Sequence, residues 1–169
     1  IILGMGEKKE DVNTVIDKIK EYNVEKVQVC FLKPQRKTIF DEVSPPNIEY
    51  MAWWVAKIRI SCPTVHIKVA VIRERITDFS LLLKAGANSF SRFMIFHDFG
   101  KPLAWQLEKE CQKAGRTLVG HFTAKPGINV KALVEGLPFE EKFKQKMMIK
   151  AEQYYRKLGR ANVIDEDEE

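Results

Sequence analysis

Hydrophobic positions follow a period of two in two segments of the chain and a helical period in several others. The alternating segments are rich in β-branched residues, which is typical of strands, and two shorter segments complete the four predicted strands. They comprise residues 1–3, 24–32, 65–71 and 88–90. Helical stripes follow over residues 8–22, after the N-cap candidate Asn47, over residues 76–83 and from Pro102 onward. Strand and helix therefore alternate four times.

This alternation predicts an α/β fold with parallel strands and right-handed crossovers. Four strand–helix units are half of a (βα)₈ barrel, which needs roughly 250 residues. The 169 residues should therefore form an open sheet or a parallel (βα) half-barrel that further residues complete. Because the chain starts inside an apolar strand and without a methionine, we expect it to be part of a longer polypeptide.

The repetition stops near residue 120, and this sets the predicted domain boundaries. Residues 1–120 should form the half-barrel, residues 121–164 an extension with an amphipathic helix, and residues 165–169 an acidic tail. Pro138 is expected to open the helix of the extension, whose apolar stripe runs from Phe139 to Leu158 and whose other faces carry seven cationic side chains.

Composition indicates a globular protein, with 45% hydrophobic and 30% charged residues. No apolar run approaches the ~18 residues of a membrane span, and no basic region followed by an apolar segment marks a signal peptide, so we expect a cytoplasmic protein without membrane partners. The three cysteines, Cys30, Cys62 and Cys111, match no zinc or redox spacing.

Net charge is +5, and because the last five residues are all acidic, the other 164 residues carry +10. This balance suits an anionic partner, although an ordinary solvated surface is the favoured explanation. Nucleic acid is not favoured, since the basic residues are spread through helices instead of clustering with aromatic residues.

Candidate site residues follow from the expected sheet edge. Gly4 and Gly6 stand between the first strand and its helix, where backbone N–H groups could bind an anion or simply form a tight turn. The basic loop from Lys33 follows the second strand, and Arg73 follows the third; ligands bind parallel α/β sheets at such positions. His66 has no neighbouring metal ligand and is interpreted as structural.

Two side chains of the second strand should face away from the helices. Gln28 and Cys30 alternate with the apolar Val27, Val29 and Phe31. If the apolar trio packs on the helices, Gln28 and Cys30 face the inside of the barrel and a bound substrate.

Three stretches together resemble the second half of a radical S-adenosylmethionine enzyme of the biotin-synthase-like group. They are Ile2-Leu3-Gly4-Met5-Gly6-Glu7, Leu32-Lys33-Pro34 with Thr38, and Arg73-Glu74 with Ala85-Gly86-Ala87-Asn88-Ser89. The first is similar to the glycine-rich motif of the family's fifth strand, whose own first glycine would precede residue 1. The resemblance covers residues 1 to about 120.

The resemblance implies the cofactors and the site residues. S-adenosylmethionine would lie beside Ile2, Gly4, Gly6 and Glu7, and the loop Leu32, Lys33 and Pro34 would contact its adenine. In biotin synthases the residue that matches Arg73 ligates an auxiliary iron–sulfur cluster, which makes Arg73 the candidate catalytic and metal-binding residue. The position of Cys30 is a substrate-facing Asn in those enzymes.

One departure limits the activity of this chain. The Cys-x-x-x-Cys-x-x-Cys loop that holds the family's [4Fe–4S] cluster is absent, so the chain alone would be inactive and would need a missing N-terminal half or a partner subunit. The preferred reaction is sulfur insertion into an unactivated C–H position, as in archaeal lipoyl synthases, on a chain held by an acidic lipoyl or acyl carrier protein. The alternatives are a cofactor-binding α/β module and a non-catalytic subunit that completes a partner's barrel.

Overall fold

A computed structural model describes residues 1–70, 73–124, 127 and 129–160. The chain divides into two compact units. Unit 1 comprises residues 1–93 and 109–117, and unit 2 comprises residues 94–108 and 118–169. The division differs from the boundary expected at residue 120, because residues 94–108 group with the C-terminal segment.

Unit 1 is built on a sheet of four parallel strands in the order of the sequence. The strands are β1 (Ile2–Leu3), β2 (Lys26–Phe31), β3 (His66–Ala70) and β4 (Ser89–Ser91). Each pairs in parallel with the next, with Ile2 opposite Cys30, Gln28 opposite Lys68, and Lys68 opposite Ser89. The predicted parallel, sequential order is confirmed. The carboxyl ends of all four strands consequently meet at one edge of the sheet.

Helices connect these strands and share a core with one face of the sheet. They are α1 (Asp11–Glu21), α2 (Ile48–Ser61), a 3₁₀ helix (Arg73–Asp78) and α3 (Phe79–Lys84). Helix α2 contacts α1, α3 and β2. Its Trp54, Val55 and Ile58 are buried together with Val29 and Val69 of the sheet. Burying these side chains supplies most of the stability of such a layer, at about 1.5–3 kcal/mol for each large apolar side chain.

The alternation of burial along β2 and β3 gives the sheet two different faces. Val27, Val29 and Phe31 are buried, whereas Gln28 between them is exposed and Cys30 is half-buried. Phe90 of β4 packs edge-on against the buried Phe79 of α3, with ring centroids 5.4 Å apart. The predicted orientation of β2, with its apolar residues toward the helices, is therefore observed.

Unit 2 contains helices and irregular segments in its described residues. Its helices are α4 (Ile95–Asp98), the first part of α5 (Pro102–Lys113), α6 (Val130–Glu135) and α7 (Glu141–Arg160). Helix α6 packs on α7, and Lys144 donates to the carbonyl of Glu135 at 2.8 Å. Glu108 of α5 accepts hydrogen bonds from the Phe122 N–H and the Thr123 hydroxyl, each at 2.7 Å. No helix among the described residues is long and apolar enough to cross a membrane.

Several predicted boundaries shift for local reasons. Helix α1 starts at Asp11 instead of Lys8, because the Asp11 carboxylate accepts the Lys8 N–H at 2.8 Å and holds the preceding turn. The last helix starts at Glu141, three residues after Pro138. Residues 117–122 form no strand, and the Phe122 N–H donates to the Glu108 carboxylate. The acidic tail lies outside the described residues.

Candidate functional site

The glycine turn after β1 is closed by its own acidic residue. The Gly4 N–H donates to both carboxylate oxygens of Glu7, at 2.8 and 3.0 Å, and the Met5 N–H donates to one of them at 2.9 Å. The turn thus forms the anion-binding geometry expected from the sequence, but Glu7 provides the anion. A carboxylate three residues along the chain can reach these amides without the entropic cost of binding a separate ligand.

Gly4 itself is required by the packing of the turn. Its φ is +99°, and a Cβ atom at this position would lie 2.8 Å from Cδ of Pro46 and 3.3 Å from Cβ of Leu32. Gly6 has a φ of +106° but has open space where its Cβ would be. The first glycine is thus needed for close approach as well as for its backbone angle, the second for its angle alone.

Two cavities lie beside this turn and at the edge formed by the strand ends. The first, which we call the turn cavity, has a volume of about 650 Å³. It is lined by Gly4, Met5, Gly6, Glu7, Lys8, Lys9, Ile39, Phe40, Val43, Pro46, Asn47 and Tyr50. The second, which we call the rim cavity, has a volume of about 370 Å³. It is lined by Phe31, Leu32, Lys33, Pro34, Pro45, Arg73, Glu74, Arg75 and Arg92.

The predicted cofactor residues are therefore divided between two cavities. Leu32, Lys33, Pro34 and Arg73 share the rim cavity, which joins the segments that follow β2, β3 and β4. Gly4, Gly6 and Glu7 line the turn cavity instead. Ile2 is half-exposed on β1, opposite Cys30 of β2.

The rim cavity combines an apolar wall with strong positive charge. Phe31, Leu32 and two prolines supply the wall, and the polar lining consists of four cationic side chains against the single acid Glu74. Its volume lies within the roughly 300–1,000 Å³ of small-molecule sites. A planar apolar group with an adjacent anionic or carbonyl group matches this combination.

Arg75 fixes one wall of the rim cavity. Its guanidinium lies 5.0 Å from the centroid of the Phe31 ring, donates to the Pro46 carbonyl at 2.9 Å and approaches the Asp78 carboxylate at 3.7 Å. The loop that ends at Pro46 is thereby fastened to the segment after β3. The sequence does not single out Arg75 or Arg92, because their charge alone does not distinguish them from surface arginines.

Side chains on the sheet face opposite the helices form a second polar surface, which we call the polar face. Its members are Ile2, Lys26, Gln28, Cys30, His66, Lys68, Ser89 and Ser91. The Gln28 amide donates to Cys30 Sγ at 3.2 Å and to Ser91 Oγ at 3.4 Å, spanning β3. Nε2 of His66 lies 2.6 Å from the Ser89 hydroxyl. The two predicted substrate-facing residues are therefore bonded to each other, and Gln28 also reaches Ser91 of β4.

The Ala85–Ser89 stretch has a structural explanation. Gly86 has a φ of +115°, and a Cβ there would lie 2.7 Å from Arg59 of α2. Arg59 donates to the carbonyls of Gly86, Pro63 and Val65 at 2.7–3.1 Å and to the side chain of Asn88. Gly86 and Asn88 are therefore explained by the way in which α3 connects to β4. No bound ligand is needed to account for this stretch.

The described residues contain no group of three or more His, Cys, Asp or Glu side chains that could hold a metal ion. Of the cysteines, Cys62 and Cys111 are buried and Cys30 is half-buried on the polar face. Further ligands of an auxiliary cluster at Arg73 would therefore have to come from outside the described residues.

Fold and site together define an α/β protein with a sequential parallel sheet and a basic cavity at its carboxyl edge. Comparison with known proteins adds one relative, an uncharacterized protein of Methanocaldococcus jannaschii that is 35% identical over 142 residues. The match covers 83% of this chain and 40% of the relative, so the chain spans about two-fifths of the relative's length. No family model and no solved structure matches the chain.

Proposed function

We propose that this chain is the C-terminal half-barrel of a radical S-adenosylmethionine enzyme that inserts sulfur into an unactivated C–H position. The observation that carries the proposal is the rim cavity, where Leu32, Lys33, Pro34 and Arg73 meet at the ends of adjacent parallel strands. These residues come from two of the three stretches on which the resemblance rests. Their meeting is what such an enzyme would require.

Sheet topology supports the half-barrel part of the proposal. When parallel strands follow the order of the sequence and all crossovers have the same handedness, every helix lies on one face of the sheet, as in a barrel. Doubly wound sheets instead reverse their strand order at a switch point. The polar face would then be the inner surface of the barrel. The relative's length also suits this reading, because 142 residues are 40% of it and about 210 more remain. That is enough for four further units and a cluster-binding loop.

The rim cavity suits the adenosine part of the cofactor. Leu32, Pro34 and Phe31 offer an apolar wall for a purine, and Lys33 lies beside them. When bound beside a reduced [4Fe–4S] cluster, S-adenosylmethionine supplies the reductive-cleavage chemistry with which this family attacks unactivated C–H bonds. The cluster ligands would come from outside this chain.

Arg73 is assigned the role of a positioning group for the substrate. Its planar fork of donors can hold a carboxylate or carbonyl in a fixed orientation, which a lysine cannot reproduce. The neighbouring Arg75 is occupied by the Pro46 carbonyl and the Phe31 ring, and it supports the wall. Orientation of the reacting C–H bond is the contribution that this half of the barrel would make to the rate.

The proposal is tested on the full-length protein after anaerobic reconstitution with iron and sulfide. We expect 5′-deoxyadenosine to form from S-adenosylmethionine with dithionite as reductant. Arg73→Lys should lower substrate turnover at least about tenfold, since a bidentate contact is lost. Arg116→Lys, which alters an exposed arginine after α5, should stay within about twofold of the wild type.

Two results would contradict the proposal. One is a full-length coding sequence without a Cys-x-x-x-Cys-x-x-Cys loop upstream of residue 1. The other is equal turnover by Arg73→Lys and wild type. If the loop is absent but the chain co-purifies with a second α/β subunit, the alternative of a barrel-completing, non-catalytic subunit is favoured.

A further inference from the structure

The polar face carries positive charge without an acidic neighbour. Alternation along the strands places Lys26, His66 and Lys68 on this face, and none of its members is an Asp or Glu. Lys68 is half-buried at the centre of the sheet, opposite Gln28 on one side and Ser89 on the other. Among the residues that the structure describes, Lys68 forms no ion pair. A half-buried ammonium without a counter-charge favours an anionic ligand.

The groups around Lys68 are held in defined positions. The Gln28 amide is bonded to Cys30 and Ser91, and the Ser89 hydroxyl is bonded to His66 at 2.6 Å. Lys68 thus lies between two strands whose polar side chains are already fixed by hydrogen bonds. Fixed donors around a cation reduce the entropic cost of binding an oxyanion.

Position in the sheet connects Lys68 with the rim cavity. Lys68 lies two residues before the end of β3, and Arg73 follows the same strand. At about 3.3 Å per residue, one small molecule can extend from the strand ends to the level of Lys68. The cations of the rim cavity and Lys68 would then contact different parts of the same ligand.

We infer that Lys68 binds an anionic group of the substrate, a carboxylate or a phosphate, while Gln28 and Ser91 contact the adjoining polar atoms. The substrate class is then a small molecule with its own negative charge. A neutral acyl chain attached to a carrier lysine would leave Lys68 without a counter-ion. This inference rests on the proposed function, because it assigns the polar face to the inside of the substrate-binding barrel.

Calorimetric titration of the full-length protein with small probes tests this inference. The probes are sodium octanoate, its neutral analogue octanamide and inorganic phosphate. We expect one of the two anions to bind at least about tenfold more tightly than octanamide, because a charge-assisted hydrogen bond is worth roughly twice a neutral one. Octanoate binding indicates a carboxylic acid substrate, and binding of phosphate alone indicates a phosphate ester.

Variants locate the binding site. Lys68→Met keeps the length of the side chain and should weaken anion binding at least about tenfold, whereas Lys68→Arg should restore most of it. Lys20→Met removes the same charge from the exposed surface of α1 and should have no effect. Unfolding curves of all three variants should match the wild type within about 1 kcal/mol, since Lys68 forms no ion pair with the part of the chain that the structure describes.

Equal binding of both anions by wild type and Lys68→Met would overturn the inference, and so would the absence of anion binding to the wild type. Failure of the proposed function is a separate result. If 5′-deoxyadenosine is not formed but anion binding still depends on Lys68, the polar face is an anion site of another kind of protein. If 5′-deoxyadenosine is formed without a contribution from Lys68, the enzyme proposal stands and this inference fails.

Discussion

At the scale of single residues, the glycine turn shows how much depends on one missing side chain. Gly4 allows Pro46 and Leu32 to approach the backbone, and the same turn directs two N–H groups at the Glu7 carboxylate. The turn is thereby linked to the loop that lies between the two cavities. A change at Gly4 should therefore affect both stability and the shape of the site.

Gly4→Ala and Gly6→Ala form a matched pair for this residue. Both glycines have φ near +100°, so each substitution should cost about 1–2 kcal/mol of backbone strain. Only the new methyl group at residue 4 meets Pro46, and relieving that contact should cost at least about 1 kcal/mol more. Urea unfolding monitored by circular dichroism measures both values. Equal destabilisation by the two variants would show that Pro46 moves away without cost.

At the scale of secondary structure elements, α3 depends on a carboxylate supplied by α5. Glu110 is fully buried, and its carboxylate accepts the Ser80 N–H in the first turn of α3 at 3.4 Å and the Lys113 ammonium at 2.6 Å. Asp78, at the N-cap position of α3, makes no capping bond. Burial raises the pKa of Glu110, but the hydrogen bonds from Lys113 and Ser80 outweigh it and leave this pKa below its ordinary value of 4.5.

Glu110→Gln should destabilise unit 1 in a pH-dependent manner. Because the folded pKa is lowered, the ionised Glu110 stabilises the fold fully above pH 4.5, and this contribution is lost as pH falls through the folded pKa. We expect the free energy of unfolding of the wild type to exceed that of the variant by about 1–3 kcal/mol at pH 7 and by less below pH 4. Urea unfolding between pH 3 and pH 7 provides the measurement.

A control for this prediction is available on α1. Lys18 and Glu21 lie 2.7 Å apart, but both are more than half exposed. Glu21→Gln should change stability by less than about 1 kcal/mol at any pH, as expected for surface ion pairs. If the stability difference between the wild type and Glu110→Gln is equally insensitive to pH, the Glu110 carboxylate does not cap α3.

At the scale of the whole molecule, unit 2 carries positive charge and exposed apolar side chains, as the sheet does. Phe139 and Phe143 of the expected apolar stripe pack against each other at 5.4 Å, yet they remain 48% and 53% exposed. The stripe is therefore only partly buried, and cationic side chains occupy other positions of α7. The acidic carrier protein expected from the sequence is the alternative to the free anionic substrate inferred from Lys68, and association of such a carrier would depend on these cations.

Reversal of Lys142, Lys146 and Lys150 to Glu should weaken association with an acidic carrier protein. All three are exposed, whereas Lys144 is left unchanged because it holds the Glu135 carbonyl. We expect a loss of at least about tenfold in association rate at ~0.05 M salt and little change at ~0.5 M, where the Debye length falls well below 10 Å. Stopped-flow fluorescence with labelled carrier measures the rate.

A control for charge is the triple reversal of Lys20, Lys84 and Arg116, which are exposed residues of unit 1. It changes net charge equally but should alter the rate less than threefold, because steering depends on where the charge lies. Loss of association in both triple variants would indicate attraction by net charge alone. Unchanged association in the α7 variant would leave the helix without a role in carrier binding.

The sequence by itself determined the four alternating strand–helix units, the apolar face of β2 and the capping residue Asn47. It also determined the parallel, sequential sheet, because periodicity, turn residues and connection lengths are local properties. The same reasoning placed Gln28 and Cys30 opposite the buried side chains of β2. Helix boundaries differ from the predicted ones by a few residues where a side chain, such as that of Asp11, accepts a hydrogen bond from a backbone N–H group.

Only the tertiary structure decided which loops meet. It divided the predicted cofactor residues between two cavities, directed the amides of the glycine turn at the Glu7 carboxylate, and brought Arg75 and Arg92 to the wall of the rim cavity. These outcomes depend on the paths of long connections and on strand register, which join residues far apart in the chain. A charged side chain in a loop carries no local signal that separates a surface position from the wall of a cavity.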